Sequence, residues 1–183
     1  VDFCKFNPNR EFLVPNYIDK KKIVVTTVAS MVPVKGLEYF VEAAEKIHEK
    51  HQNTSFIIAG PEISSQKNYS KKIKSMIFDK NYINYIGMCN NVPELLANSD
   101  IFICSSVSEA GPMTVYEAMS MKLPVVTTDV GASRQIIENF KNGVIVPTKN
   151  SLELYRASEK ILNDNLLSKN ISNAAFMSSK NLF

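Results

Sequence analysis

Six short apolar runs, most of them β-branched, recur along the chain with a helical pattern between each pair, and this alternation constrains the fold more than any other feature. Ile23–Ala29 (IVVTTVA), Thr54–Ala59 (TSFIIA), Ile83–Ile86, Ile101–Cys104 (IFIC), Pro124–Thr128 and Gly143–Val146 read as buried strands bounded by turn residues. Between the first two, Leu37–Lys50 carries Leu37, Phe40, Val41, Ala44 and Ile47 on one helical face. Tyr69–Phe78 is a mostly polar helix and Val92–Asn98 a short one that Pro93 can start. Pro112–Met121, Gly131–Asn139 and Ser151–Asn163 complete the set, the last with Ser151 as a cap. Strand–helix alternation demands crossovers, and crossovers within one sheet are right-handed. The expected fold is therefore α/β, a Rossmann-like doubly wound parallel six-stranded sheet with helices on both faces. Residues 1–22, polar and broken by Pro8 and Pro15, are expected to be a lead-in or interdomain connector. Residues 23–164 are expected to form the α/β domain and 165–183 a C-terminal helical segment.

Ligands of open α/β sheets bind in the crevice at the carboxyl ends of the strands. Five of the six glycines, Gly36, Gly60, Gly87, Gly111 and Gly131, fall in segments that follow strands and so line that crevice. No GxGxxG follows the first strand, which argues against an ordinary NAD-binding domain. The turn after the fourth strand carries the most chemistry. In SSVSEAGPMTVYEAMSMKLPVVTT, Glu109 and Glu117 bracket Gly111-Pro112 and the start of a helix, whose free N–H groups and dipole attract anions. Gly111 permits close backbone approach, and Pro112 suits the first helical position because its missing donor would be unpaired anyway. On spacing alone the two carboxylates read either as a general acid and base or as a solvated loop residue and a helix-favouring one.

Lys35 lies next to Gly36 in the first βα loop, immediately before a helix. A cation there is unfavourable unless an anion sits between it and the helix, which hints at a phosphate site; taken alone, Lys35 reads equally well as a solvated loop lysine. Strands 1 and 4 flank the switch point of a Rossmann-like order, so Lys35 and the Gly111 helix would face one crevice.

Composition narrows the remaining classes. The net charge is +3, but Lys20–Lys22, Lys71, Lys72 and Lys74 lack the interleaved aromatics of a nucleic-acid platform, and no nucleic-acid partner is expected. Cys4, Cys89 and Cys104 form no CxxC pair, which argues against a disulfide framework and a zinc site and fits a reducing cytosol. His48 and His51 have no carboxylate or cysteine at ligand spacing, and no metal is expected. Ser105, Ser106 and Ser108 form no G-x-S-x-G elbow. Asp129, at the carboxyl end of a strand, reads as a turn residue or a site candidate. No apolar run approaches the ~20 residues of a membrane span. The chain opens at Val1-Asp2 without an initiator Met, as an excised fragment would.

These residues carry a resemblance. SEAGPMTVYEAMSMKLPVVTTDVGASRQII is similar to the E-x7-E region of family 4 retaining glycosyltransferases of the GT-B fold. VDFCKFNP resembles the connector from that family's N-terminal domain, and VASMVPVKGLEYFVEAA its first βα unit. FIIAGP, LLANSDIFICSSVSE, NGVIVPT and the closing SKNISNAAFMSSKNLF resemble later landmarks, so nearly the whole chain is covered. The resemblance implies the C-terminal, nucleotide-sugar-binding domain alone. It implies a UDP-, GDP- or ADP-sugar donor and an N-terminal acceptor-binding domain of the same protein as partner. It further implies a cytoplasmic location, peripheral membrane contact only through that other domain, and no metal or cofactor.

By the same resemblance Lys35 neutralises the diphosphate and Glu109 contacts donor-sugar hydroxyls, these two forming the catalytic pair. Glu117 accepts hydrogen bonds from the ribose. Backbone N–H groups of Gly111, Met113 and Thr114 meet sugar and phosphate, a role Pro112 at the same turn cannot share. Gly60, Gly87 and Met88 border the nucleobase. The family usually has arginine five residues before the loop lysine, where this chain has Ser30, so one expected diphosphate cation is missing from the donor site. Lys122 stands where a glycine is common, and Gln135 where a glutamate is. A non-catalytic nucleotide-sugar-binding module and a GT-B nucleotide-sugar epimerase are the alternatives.

Overall fold

The computed structural model describes residues 1–182, so the last position of the expected C-terminal segment, 183, lies outside the described residues. The strands are β1 (Ile23–Val28), β2 (Thr54–Ala59), β3 (Ile83–Gly87), β4 (Ile101–Cys104), β5 (Val125–Thr128) and β6 (Val144–Val146). They form one parallel sheet, as the alternation requires, and its order is β3-β2-β1-β4-β5-β6. The order reverses between β1 and β4, which pair with Val25 opposite Ile101 and Thr26 opposite Phe102. The helices are α1 (Leu37–Lys50), α2 (Lys67–Ile77), α3 (Val92–Ala97), α4 (Met113–Ser120), α5 (Ser133–Ile136), α6 (Ser151–Asn163) and α7 (Asn165–Leu182).

Successive strand residues point to opposite faces, and both faces are covered. Val25, Phe56, Ile58, Ile101, Ile103 and Val126 share one core layer with Phe40 and Ile47 of α1, Ile73 of α2 and Leu154 of α6. Their neighbours turn the other way: Val24 and Ile57 pack with Leu95 of α3, and Phe102 and Val125 pack with Val115, Ala118 and Met119 of α4. Phe40, Phe56 and Phe102 are fully buried, each contributing roughly 1.5–3 kcal/mol by leaving water. α7 joins the two layers, with Ile171 in the first and Ala175 in the second. Residues 1–22 contain no helix or strand, yet they are docked along the domain. Phe6 and Ile18 are buried in the second face, and Asn98 Nδ2 donates to the Leu13 carbonyl at 2.8 Å.

Three boundaries differ from the sequence reading for local reasons. Pro112 precedes α4 instead of starting it, because its ψ of 79° is not helical. The helix expected over Gly131–Asn139 is reduced to one turn. Asn142 takes over the backbone there, its Oδ1 accepting from Glu138 N–H at 2.8 Å and its Nδ2 donating to the Ile136 carbonyl at 3.0 Å. The cap of α6 is Asn150, whose side chain accepts from Glu153 N–H at 3.1 Å, and not Ser151.

Candidate functional site

Two loops that are distant in sequence are bonded to one another at the reversal point of the sheet. After β1 the chain makes a 3-10 turn over Pro33–Lys35 and then enters α1 through Gly36, at φ 57°. A Cβ on Gly36 would lie 2.4 Å from the Ser105 carbonyl oxygen, so this approach of the first loop to the fourth requires glycine. Val107 N–H donates to the Val34 carbonyl at 2.7 Å, and Ser105 Oγ donates to the Lys35 carbonyl at 3.1 Å. From the other side, Gly131 at φ 51° packs where a Cβ would meet the Glu109 and Ala110 carbonyl oxygens, both at 2.4 Å.

Inside this clamp Lys35 Nζ lies 2.9 Å from Glu109 Oε1, with only 28% and 10% of the two side chains exposed. The same carboxylate oxygen accepts from Ser106 Oγ, and Cys104 Sγ lies 3.9 Å away. Burial first, and then the Glu109 charge, push the Cys104 thiol up, so it is a neutral, weak donor beside the carboxylate. The charge of Lys35 is therefore met by Glu109. The start of α1 is closed independently: Leu37 N–H donates to Tyr69 Oη at 2.9 Å, and Tyr69 Oη donates to Glu38 Oε2. The dipole argument for an anion between Lys35 and α1 consequently loses its force, and what remains is the meeting of Lys35 with the fourth loop.

Ser30, Lys35, Gly60, Met88 and Thr114 line one cavity of about 240 Å³ at the carboxyl ends of the central strands. Val28, Ala29, Pro61, Cys89 and Val92 complete the lining and give it an apolar wall. Gly87 sits just beneath, its carbonyl accepting from Gly60 N–H at 2.7 Å. Glu109, Gly111, Pro112, Met113 and Glu117 lie outside the lining. Pro112 is buried, while Gly111 and Met113 are exposed. Met113 N–H turns back to the Gly111 carbonyl at 2.9 Å. Among the described residues the Gly111 and Thr114 N–H groups meet no protein acceptor. A larger cavity of about 340 Å³ opens between Arg10, Asn98 and Lys122 at the amino ends of β4 and β5. That is the end of a parallel sheet opposite to the one where open α/β folds hold their ligands, so the carboxyl-end cavity is the candidate.

Glu117 is half-buried on α4, and its side chain has no hydrogen bond or ion pair among the described residues. Burial pushes its carboxyl above the usual range, against a weaker pull from the N-terminal ammonium. Asp129 pairs with Arg134 through two bonds of 2.8 and 2.6 Å, a loop clasp turned to solvent. Sequence reasoning missed Ser106 and Thr128, which hold the fourth loop: Thr128 Oγ1 donates to the Ser106 carbonyl at 2.5 Å. The available signal is a serine three residues before Glu109, a spacing that a search for nucleophiles passes over. Among the described residues no group of three or more His, Cys, Asp or Glu is placed to hold a metal ion. No helix among them is long and apolar enough to cross a membrane.

Strand order and the position of the crevice define a class, the Rossmann-like doubly wound α/β domain. Within it the chain belongs to the glycosyl transferases group 1 family, whose model matches residues 9–177. It is 27% identical, over 94% of this chain and 47% of the other, to UDP-Gal:alpha-D-GlcNAc-diphosphoundecaprenol alpha-1,3-galactosyltransferase of Escherichia coli. The crystal structure of the C-terminal domain of the glycosyl transferase group 1 family protein LpcC from Francisella tularensis superimposes with a TM-score of 0.83. That match has 24% identity and covers 99% of this chain and 97% of the other. Anabaena HepE, in complex with UDP and glucose, superimposes with a TM-score of 0.82 at 21% identity over 89% of this chain and 45% of the other. The chain spans half or less of the length of the curated relatives it matches.

Proposed function

We propose that this chain is the C-terminal, donor-binding half of a family 4 retaining glycosyltransferase of the hexosyltransferase type. The observation that carries the reading is the contact of Lys35 with Glu109 across two bonded loops, beside a cavity bounded by the start of α4. When a nucleoside diphosphate departs from a sugar, negative charge builds on its β-phosphate. Lys35 and the unengaged N–H groups of Gly111 and Thr114 are placed to meet that charge. Glu109 receives sugar hydroxyls, Glu117 the ribose, and the apolar wall of Met88, Pro61 and Val92 borders the base.

UDP is the nucleotide favoured by the relatives, one named for UDP-Gal and another crystallised with UDP. The likeness to the LpcC C-terminal domain supports placement in the C-terminal half. The cavity, at about 240 Å³, is smaller than complete small-molecule sites, which fits a crevice closed by an N-terminal acceptor-binding domain. The acceptor is a glycan, lipid or small molecule held by that domain, the setting is the cytoplasmic side, and no metal is assigned a role. Titration calorimetry with UDP, GDP and ADP tests the reading: this chain binds UDP and transfers no sugar by itself. Absence of binding to all three at millimolar concentration overturns it.

One observation favours a second reading. Lys35 is the single cation among the residues lining the cavity, since Ser30 stands where the family usually has arginine. A charge-assisted contact is worth roughly 1.5–3 kcal/mol, so the loss suits a module that binds donor without transferring it. Sugar transfer by the full-length protein before any Ser30→Arg change removes this alternative.

A further inference from the structure

Lys35 and Ser106 both bond Glu109 through Oε1. If Glu109 is to receive a sugar while Lys35 turns to a diphosphate, as the proposed function has it, the carboxylate loses one of its two strong donors at the moment it must stay in place. The geometry points to Ser106 as the positioning residue that keeps Glu109 aimed through that exchange, a role that rests on the proposed donor-binding reading.

Ser106 is suited to it by its own anchoring. It is 2% exposed, its carbonyl accepts from Thr128 Oγ1 on β5, and Cys104 Sγ lies 3.6 Å from its hydroxyl. A hydroxyl fixed at its backbone and shielded from water offers its proton in one direction, and that direction is Oε1. Oε2 is left as the acceptor for a ligand hydroxyl. Without the serine the carboxylate has only Lys35 and the weak thiol to orient it, and it moves with whichever position Lys35 takes. The hydroxyl is needed for alignment and makes no contact with substrate, which separates its signature from that of a lining residue.

The test compares UDP with UDP-galactose by titration calorimetry and reads the ratio of their affinities, the gain due to the attached sugar. Ser106→Ala is expected to shrink that gain by about three- to tenfold, the net worth of one ordinary hydrogen bond felt through the carboxylate. Binding of UDP itself changes much less. Combined with Glu109→Ala, it should cause no further loss, because the serine acts only through the carboxylate. Thr128→Val, which frees the serine backbone, should lower the gain in the same direction and Thr128→Ser restore it, a check that survives if Ser106→Ala folds poorly. An unchanged gain in Ser106→Ala, or equal weakening of both ligands, overturns the inference while the donor-binding reading stands. A wild-type chain that binds neither ligand overturns both.

Discussion

Glu109 and Glu117 flank the start of one helix, yet the protein treats them in opposite ways. Glu109 sits in a loop clamped by Gly36 and Gly131, its side chain 10% exposed and its Oε1 shared by Lys35 and Ser106. Glu117 rides on α4, with no donor to its side chain among the described residues and a carboxyl pushed up by burial. A buried charge supplied with donors is part of the scaffold, whereas one that is desolvated without them opposes folding until a ligand brings hydroxyls. The first carboxylate is thus preorganised by the protein, and in the proposed donor site the second is left for the ribose hydroxyls to organise.

The largest test of that contrast is Gly131→Ala, which drives a Cβ into two carbonyl oxygens at 2.4 Å from a left-handed backbone. A loss of about 2–5 kcal/mol is expected in urea unfolding, together with loss of the sugar-dependent gain in donor binding. Lys35→Met comes next. It strands the Glu109 charge and removes the proposed diphosphate cation, so UDP binding by calorimetry should weaken about tenfold or more. Glu117→Gln should divide stability from function, raising Tm at pH 7 while weakening UDP about three- to tenfold.

The sign for Glu117 comes from its raised carboxyl. Folding favours the protonated form, so its contribution is fully present below the ordinary carboxylate value and is lost as pH rises through the folded one. The Tm advantage of glutamine should therefore vanish below about pH 4. The smallest effect is expected at the far end of α4. Lys122 holds φ 62° there, with its N–H on the Met119 carbonyl and that of Leu123 on Ala118, the bonding of a helix end that favours glycine. Lys122→Gly should stabilise the chain by about 0.5–1 kcal/mol and leave UDP binding alone.

The sheet was legible because its strands are short β-branched runs with helices between them, which leaves few ways to wind the chain. The convergence of Lys35 with the fourth loop came from strands 1 and 4 being neighbours at the reversal. The parts that could not be read were set by individual side-chain hydrogen bonds and loop contacts, which leave no mark on the hydrophobic period. Asn142 dissolves the end of the helix expected after Gly131, an effect outside any local hydrophobic period. Tyr69 closes the start of α1 from a different helix, 32 residues away in sequence. The direct pairing of Lys35 with Glu109, in place of two independent ligand contacts, depends on a loop approach that only Gly36 permits.

The bonds from Val107 to Val34 and from Ser105 to Lys35 also govern how this sequence can drift. A residue inserted into either loop displaces its downstream neighbours by up to ~3.8 Å, more than the 2.9 Å that separates Lys35 from Glu109. Length variation among natural or engineered variants should accordingly be absent from 30–36 and 105–111. It should collect in segments such as 63–66, which lie outside the cavity lining.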